Sequence, residues 1–438
     1  MMSRAAETTP RTVPSERDLT LDLTRVVCVV VVVFVHILFA GVGRGTDGSL
    51  VIEKTVESLP VFVAGSWLAN IMPLFFVVGG FAARIGWRSA AARGESADRF
   101  ARVRLERLAR PAVPVLVFFT AALGVSRLLG LDPALVDTIA VGVGSPLWFL
   151  AAYLLAQAAA PFMMRMHERH GMWVLATLLA AGLIVDATRF LLVGGVFGID
   201  GVPASGYGFG QEVFGIPNIL FIWLFAQQVG FFLCDGWFSE RSLWQILALI
   251  AGGYALLGVL VWAVGYPTSM LANQWPPTVP MAVLAVVQTA LLTLLHRPLT
   301  ALMHTKPARA AVFLIGSRLM TIYLWHLPVI MILIGLELLL PLPMPDPGSA
   351  LWWWTRPLFL LVVMAAVWLL SLWLVRFEAT RHRGTPRFAG VGATVAAVAV
   401  FAAPVVAITL YGLDLTLAAS ALAGAACALW LTGSRRSL

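Results

Sequence analysis

Apolar stretches long enough to cross a membrane recur along the whole chain and leave no room for a sizeable aqueous domain. About 20 mainly apolar residues span a bilayer as a helix. Only 12% of the 438 residues are charged and 60% are hydrophobic, whereas soluble domains contain about 25% charged residues. We therefore predict an all-α, polytopic transmembrane helical bundle. About twelve spans are expected, near 26–43, 61–83, 112–129, 146–164, 172–193, 213–234, 244–265, 280–295, 311–336, 357–375, 389–411 and 414–432.

The net charge of +8 is open to two interpretations, a nucleic-acid surface or loops that set the topology. Cytoplasmic loops of membrane proteins are enriched in Lys and Arg. When the loops are numbered alternately from a cytoplasmic N-terminus, 24 of the 30 basic residues fall on the inner side, including eight arginines from Arg84 to Arg110. The charge therefore indicates topology, with both termini cytoplasmic, and no nucleic-acid partner is expected.

Three regions follow from this pattern. Residues 1–18 form a cytoplasmic N-terminal tail that we expect to be disordered, and residues 19–388 form the main transmembrane domain. Residues 389–438 add an Ala/Val-rich helix pair, joined at Gly412 and Leu413, and a short basic tail. The first apolar run exceeds the usual signal-peptide core, so the first helix is expected to be retained.

The first span carries the strongest candidate residues for chemistry. Ionisable groups inside spans are costly and usually face the protein interior or a cavity. Arg25 and His36 are eleven residues apart and so share a helix face, with His36 roughly 16 Å deeper. Asp22 is placed to pair with Arg25. The Val-rich run offers His36 no local partner, so either packing across helices or proton transfer can explain it.

A second polar set lies in the ninth span, where Arg318, Tyr323 and His326 occur together. A buried arginine needs a carboxylate or an anionic ligand. An inter-helical ion pair and ligand binding both remain open for Arg318.

Other polar residues have a structural interpretation. Asp186 and Arg189 in the fifth span are spaced to neutralise each other. Amides within spans are expected to bond between helices: Asn70, Gln157, Asn218, Gln227, Gln228 and Gln288. His167 and His170 lie among charged residues and are expected to be exposed to solvent.

The arginine-rich segment from Arg99 to Arg110 precedes Pro111. As an interfacial helix it would turn Phe100, Val103 and Leu108 toward the membrane. Its arginines could anchor lipid headgroups or clamp a phosphorylated ligand.

No phosphate-binding loop or H-E-x-x-H motif occurs. The three cysteines, Cys28, Cys234 and Cys427, have no CxxC spacing. No bound cofactor or metal is therefore expected.

Five motifs follow one another along the chain: Leu21 to Arg25 followed by His36, Met72 to Phe81, Arg104 to Pro111, Pro146 to Leu150, and Gly316 to His326. Together they resemble the motifs of the acyltransferase-3 family of multispanning membrane O-acyltransferases. They occur in the family's order from about residue 18 to about residue 376. Domain 19–388 would then be an acyltransferase-like core of ten helices, with the last two helices in addition.

The resemblance implies transfer of an acyl group from cytoplasmic acyl-CoA, as co-substrate, to a hydroxyl of a sugar, cell-envelope glycan, glycolipid or secondary metabolite, with acetyl or another short acyl group expected. It implies a multi-pass protein of the plasma membrane. His36 and Arg25 would be the catalytic pair, with His36 as general base or as a covalent acyl carrier. Substrate contacts are expected from Arg104, Arg107, Arg110, Trp148, Arg318, Tyr323 and His326.

One departure is that Gly79 stands where the family commonly has serine. A secondary transporter that exports a lipid or metabolite intermediate is the alternative function, although we find no internal repeat of the kind transporters often show. A membrane scaffold is a third possibility. The residues alone do not determine the oligomeric state.

Overall fold

A computed structural model describes residues 18–44, 50–53, 56–57, 59–193, 214–340, 345–378, 388 and 390–433. Residues 1–17 of the predicted tail 1–18 lie outside the described residues, as do the basic residues Arg381, Arg383, Arg387, Arg435 and Arg436. Within the described part, the chain is helical apart from one two-stranded antiparallel hairpin, β1 Gly41–Arg44 and β2 Leu50–Glu53. This confirms the all-α class.

The described helices are α1 Leu19–Phe39, α2 Pro60–Ala69, α3 Met72–Ala92, α4 Ala97–Leu128, α5 Pro133–Gly144, α6 Leu147–His170, α7 Met172–Val193, α8 Asn218–Cys234, α9 Leu243–Val259, α10 Val279–Leu294, α11 His296–Met303, α12 Lys306–Gly316, α13 Leu319–Leu339, α14 Ala350–Glu378, α15 Val391–Tyr411 and α16 Leu415–Thr432. A π-helical turn, Leu260–Val264, continues α9.

The described helices provide ten candidate membrane spans, or eleven if the bent pair α10 and α11 counts as one span. Helix α8 corresponds to the predicted span 213–234, but its 17 residues are at the lower limit of the length that crosses a bilayer, and it is not among the candidate spans. Helix pairs α2–α3 and α5–α6 each form one longer span, Pro60–Ala92 and Pro133–His170. The sequence thus overstated the number of full-length spans, because apolar composition does not show where a helix ends.

The predicted ninth span, 311–336, is divided into two helices. Helix α12 ends at Gly316, and α13 begins after Arg318, whose backbone has φ −128° and is not helical. Arg318 therefore lies at a helix break rather than two turns inside a continuous helix. This places a cation and the exposed Ser317 at an irregular point in the backbone beside α1.

Helices α3 and α8 cross with their backbones in contact. A Cβ atom on Gly80 would collide with the carbonyl oxygen of Gln227, and one on Gly230 would collide with that of Val77. Small residues allow such close approach in membrane bundles.

The span amides bond between elements, as predicted. For example, Asn70 donates to the carbonyl oxygen of Met270 at 2.7 Å, and Gln288 donates to that of Asn70 at 2.7 Å. The other four donate to partners on neighbouring helices: Gln157, Asn218, Gln227 and Gln228. These bonds join α3, α6, α7, α8 and α10 within the bundle.

The two C-terminal helices pack on the rest of the bundle through α4 and α6. They are joined at Gly412, which has φ +87°, and Asp414 caps α16 by accepting from the backbone N–H of Leu417 at 2.6 Å. The small residues of α15 and α16 permit close contact, since a Cβ on Gly424 would lie 2.5 Å from the carbonyl oxygen of Val400.

Candidate active site

Two histidines meet inside the bundle, one from α1 and one from α13. The Nε2 atom of His326 lies 3.3 Å from the Nδ1 atom of His36, and the ring centroids are 4.9 Å apart. His326 is 1% exposed, whereas His36 keeps accessible surface. His36 lies in the last turn of α1, nearer the helix end than the predicted span 26–43 implied. The structure brings these two predicted site residues together.

The hydrogen bonds of the pair determine where each neutral ring carries its proton. The Nδ1 atom of His326 lies 2.6 Å from the carbonyl oxygen of Tyr323. A carbonyl only accepts, so this nitrogen donates and the lone pair of His326 is on Nε2. The Nδ1 atom of His36 faces that lone pair and, at 2.8 Å, the carbonyl oxygen of Val32. His36 therefore carries its proton on Nδ1 and its lone pair on Nε2, the state of a histidine that can accept a proton.

The prediction that His36 has no local partner is wrong. The carbonyl oxygen of Val32 lies one turn earlier on the same helix and accepts from its ring. The Val-rich run has no side chain that could bond the ring, but its backbone carbonyl oxygens are acceptors.

Tyr323 connects the histidine pair to α6. Its ring centroid lies 5.9 Å from that of His326 and 4.9 Å from that of Phe149. Its hydroxyl donates to the carbonyl oxygen of Pro146 at 2.6 Å. This bond joins two motifs that are far apart in the chain, so the Tyr323 hydroxyl holds the site together within the fold.

Trp148 belongs to an aromatic group on the other side of Phe149. It stacks on Trp223, with centroids 5.7 Å apart, and lies 5.8 Å from Trp275. The indole nitrogens of Trp223 and Trp275 are buried and have no hydrogen-bond partner within the part of the chain that the structure describes. Trp148 itself is half-buried. Trp148 and Trp275 keep accessible surface at the end of the bundle away from the arginine-rich segment, whereas Trp223 is fully buried.

Tyr153 extends the aromatic set toward the end of the bundle that carries the arginine-rich segment, here called the basic end. Its ring stacks on Phe149 at 5.3 Å, and its hydroxyl lies within range of the charges of Arg25 and Arg104. A Cβ atom on Gly79 would lie 2.7 Å from the Cε2 atom and 3.0 Å from the hydroxyl oxygen of Tyr153. Glycine at position 79 thus has a steric reason, because the tyrosine ring fills the space of a side chain.

The three predicted basic contacts differ in their surroundings. Arg104 is half-buried, with its guanidinium 3.6 Å from the ring centroid of Phe100. Arg107 is exposed. Arg110 forms an ion pair with Glu106 at 3.4 Å, so its charge is partly neutralised within α4. Arg104, beside Tyr153, is the best placed of the three to face a ligand inside the bundle.

The arginine-rich segment does not lie flat at the interface. It forms the first turns of α4, a 32-residue helix with Pro111 inside it. Phe100 and Leu108 were expected to face the membrane, but they are 2% and 6% exposed and belong to the protein core. Neighbouring helices cover this face. An amphipathic pattern shows that a helix face is apolar, but not whether protein or lipid packs against it.

Two further arginines lie at the basic end, Arg25 on α1 and Arg318 at the start of α13. Arg25 pairs with Asp22 at 3.7 Å, as predicted. Arg318 is half-buried, and no carboxylate pairs with it in the described ranges. Of the two interpretations left open for Arg318, the inter-helical ion pair is therefore not observed among the described residues.

His167 was expected to be exposed, and this is wrong, although His170 is exposed. His167 is 7% exposed, with Nδ1 at 3.0 Å from the Oε1 atom of Gln228 and Nε2 at 3.1 Å from a carboxylate oxygen of Asp235. Its neighbours in sequence are charged, but the last turn of α6 turns this residue inward against α8.

Asp235 is the centre of a charge network at the basic end. It accepts from Arg84 at 3.0 and 3.1 Å and from Arg88 at 2.7 Å, and Arg84 also bonds Glu168 at 2.8 Å. Burial alone would raise the pKa of Asp235, but the His167 bond and the two arginines lower it well below its usual value. The network fixes α3, α6 and α8 relative to one another.

The predicted Asp186–Arg189 pair is confirmed at 4.0 Å. Asp186 also accepts from Tyr266, Asn218 and the backbone N–H of Val279, each at 2.9 Å. Burial, followed by the nearby carboxylate, raises the pKa of Tyr266. This cluster connects α7, α8 and α10 and so has a structural role.

Sequence reasoning missed two parts of this site. Tyr153 gave no signal because a lone tyrosine in an apolar span resembles packing. Arg84 was counted among the arginines that set the topology, so its ion pairs were not predicted. An arginine so far into an apolar helix is nevertheless a signal of a buried polar contact.

The fold and the site define a multi-pass integral membrane protein with a histidine pair inside its helical bundle. A family model described as "Acyltransferase domain", of the acyltransferase-3 type, matches residues 18–376. The chain belongs to this acyltransferase family, and membership implies acyltransferase activity. Comparison with curated proteins and with solved structures finds no match.

Proposed function

We propose that the protein is an O-acyltransferase that moves an acetyl or other short acyl group from cytoplasmic acyl-CoA to a hydroxyl of a sugar, envelope glycan, glycolipid or secondary metabolite. The observation that carries the proposal is the His36–His326 contact inside the bundle, with Tyr153 between it and the arginines of the basic end. The family supplies the reaction class.

The basic end faces the cytoplasm in this proposal and receives the donor. Arginine matches phosphate oxygens with a fork of N–H donors. Arg104 and Arg318 are half-buried and have no ion pair among the described residues, so phosphates can bind them without breaking an ion pair. Exposed Arg107 adds to the positive field. The thioester then extends past Tyr153 toward the histidines.

His36 acts as the general base. Its Nε2 atom removes the proton of the acceptor hydroxyl while the hydroxyl oxygen attacks the thioester carbonyl. The carbon–sulfur bond then breaks, and the leaving thiolate recovers the proton from the imidazolium. General-base catalysis contributes about 10²–10⁴-fold. His326 holds the His36 ring, and the Tyr153 hydroxyl can stabilise charge on the carbonyl oxygen. Arg25 lies eleven residues before His36 on the same helix, roughly 16 Å away, so its role is at the donor end.

The acceptor enters from the opposite end, past Trp148. The rings of Trp148 and Trp275 are half-buried and provide apolar contact for an acceptor. The membrane that holds the protein is taken to be the plasma membrane.

The test uses proteoliposomes with acyl-CoA radiolabelled in the acyl group and acceptors extracted from the cell envelope. We expect free CoA and labelled acceptor to appear together. Export of an intermediate without thioester cleavage would overturn the proposal in favour of a transporter. A label that stays on the protein without acceptor would indicate an acyl-histidine step instead of direct transfer.

The donor end is tested by acyl-CoA binding to Arg104→Gln and Arg107→Gln variants. We expect weaker binding for both, with the larger loss for Arg104. Arg297→Gln is the matched control, since Arg297 is exposed on α11. Unchanged affinity in all three variants would mean that the segment serves topology alone.

A further inference from the structure

An apolar groove lies outside the histidine site, and the proposed acyl transfer does not use it. Its cavity measures about 480 Å³, within the range of small-molecule sites. Helix α7 forms one wall with Trp173 and Ala176, and α9 contributes Leu249 to the other. The floor includes Val229 of α8 and Val286 of α10. Every lining residue is apolar or aromatic, so the groove suits a hydrocarbon chain.

The position of the groove indicates that it opens to the bilayer. Its two walls belong to candidate membrane spans, Met172–Leu191 and Leu243–Val264, which are among the least buried in the bundle. Trp173 is 77% exposed. Because both helices lie on the outside of the bundle, the gap between them faces the acyl chains of the surrounding lipid.

One end of the groove is basic. Trp237, one of the lining residues, lies under the guanidinium of Arg241, 4.2 Å from the ring centroid. Exposed Arg169 and His170 precede α7 at the same end. Glu240 is the acidic neighbour of Arg241, whereas Asp235 and Glu168 are engaged by Arg84. Positive charge beside a tryptophan at the membrane surface favours anionic lipid headgroups.

We propose that this groove binds one acyl chain of an anionic phospholipid of the inner leaflet, with the headgroup at Arg241. The apolar lining takes the chain, and the cation selects the headgroup. This assignment is independent of the acyl-transfer reaction, because the lining shares no residue with the histidine site.

The test uses the full-length protein in nanodiscs with phosphatidylglycerol carrying a photoreactive diazirine in one acyl chain. Labelled peptides are mapped by mass spectrometry and should contain lining residues of α7 and α8. Ala176→Trp fills the groove and should lower this labelling at least about tenfold, since it removes most of the bound contacts. Ala180→Trp is the matched control, because Ala180 is exposed on the same helix but outside the lining.

The headgroup is tested with Arg241→Gln, compared with the exposed cation control Arg297→Gln. Arg241→Gln should lower phosphatidylglycerol labelling roughly fivefold, the effect of one cation at an anionic surface, and leave phosphatidylcholine labelling unchanged. Equal labelling by both lipids, unchanged labelling in Ala176→Trp, or displacement by long-chain acyl-CoA but not by unlabelled phosphatidylglycerol would overturn the proposal. If Ala176→Trp does not fold, the smaller change Ala176→Leu should still lower the labelling, and unlabelled phosphatidylglycerol should compete with the labelled lipid.

Discussion

Replacing His326 separates the role of a base from the role of the residue that holds it. In His326→Phe, the ring remains but the Nε2 acceptor, 3.3 Å from the Nδ1 atom of His36, is removed. His36 keeps its bond to the carbonyl oxygen of Val32 at 2.8 Å. The proton therefore stays on Nδ1 and the basic lone pair stays on Nε2. We expect the variant to be impaired but active.

The size of the effect follows from the bond that is lost. A neutral hydrogen bond contributes about 0.5–1.5 kcal/mol, and 1.36 kcal/mol corresponds to about tenfold in rate. The kcat of acyl transfer should therefore fall roughly two- to tenfold in His326→Phe. In His326→Gln, a side-chain carbonyl can again accept from His36, so activity should recover toward that of the unmodified protein. Thermal unfolding of each variant controls for folding.

Two results would refute this reasoning. If His326→Phe loses the 10²–10⁴-fold expected for a missing general base, His326 takes part in proton transfer itself. If both variants keep full kcat, the contact between the two rings has no role in catalysis.

Three further predictions concern the Tyr153 hydroxyl, the close crossing of α3 and α8, and the charge network around Asp235. Tyr153→Phe keeps the stacked ring but removes the hydroxyl, and kcat should fall by up to about tenfold with little change in acyl-CoA affinity, whereas unchanged kcat would exclude Tyr153 from the reaction. Gly80→Ala forces a Cβ atom against the carbonyl oxygen of Gln227 and should destabilise the fold by about 1–3 kcal/mol in thermal unfolding; an unchanged unfolding temperature would contradict the close crossing. Because the folded-state pKa of Asp235 is lowered, its contribution to stability is complete above the ordinary carboxyl pKa of about 3.9 and is lost as the pH falls below it. Asp235→Asn should be less stable at pH 7, and its free energy of unfolding should depend less on pH in the acid range. Parallel plots of unfolding free energy against pH for the two proteins would contradict this.

The sequence identified the general architecture because membrane helices follow from hydrophobic length alone. It failed at helix ends and breaks. Arg318 fell inside a predicted span, but the backbone breaks before α13. Span length also misled the count, since α8 is mainly apolar yet has only 17 residues.

The site was partly predictable for the same physical reason. Ionisable groups in lipid are costly, so His36 and His326 could be found, but their contact depends on how α1 and α13 pack. His167 shows the opposite limit, because its charged neighbours suggested solvent while the helix buries it. Tyr153 could be recognised only once its ring was seen against Gly79 and its hydroxyl near Arg25.

The measurement that tests the central claim most directly is acyl transfer by purified His36→Ala in proteoliposomes, with His170→Ala as the control for loss of an exposed histidine. Label transfer from acyl-CoA and release of CoA are followed in folded protein of equal amount. We expect His36→Ala to lose at least about 10²-fold in rate while His170→Ala retains full activity. Full activity in His36→Ala would contradict the assignment of the catalytic base.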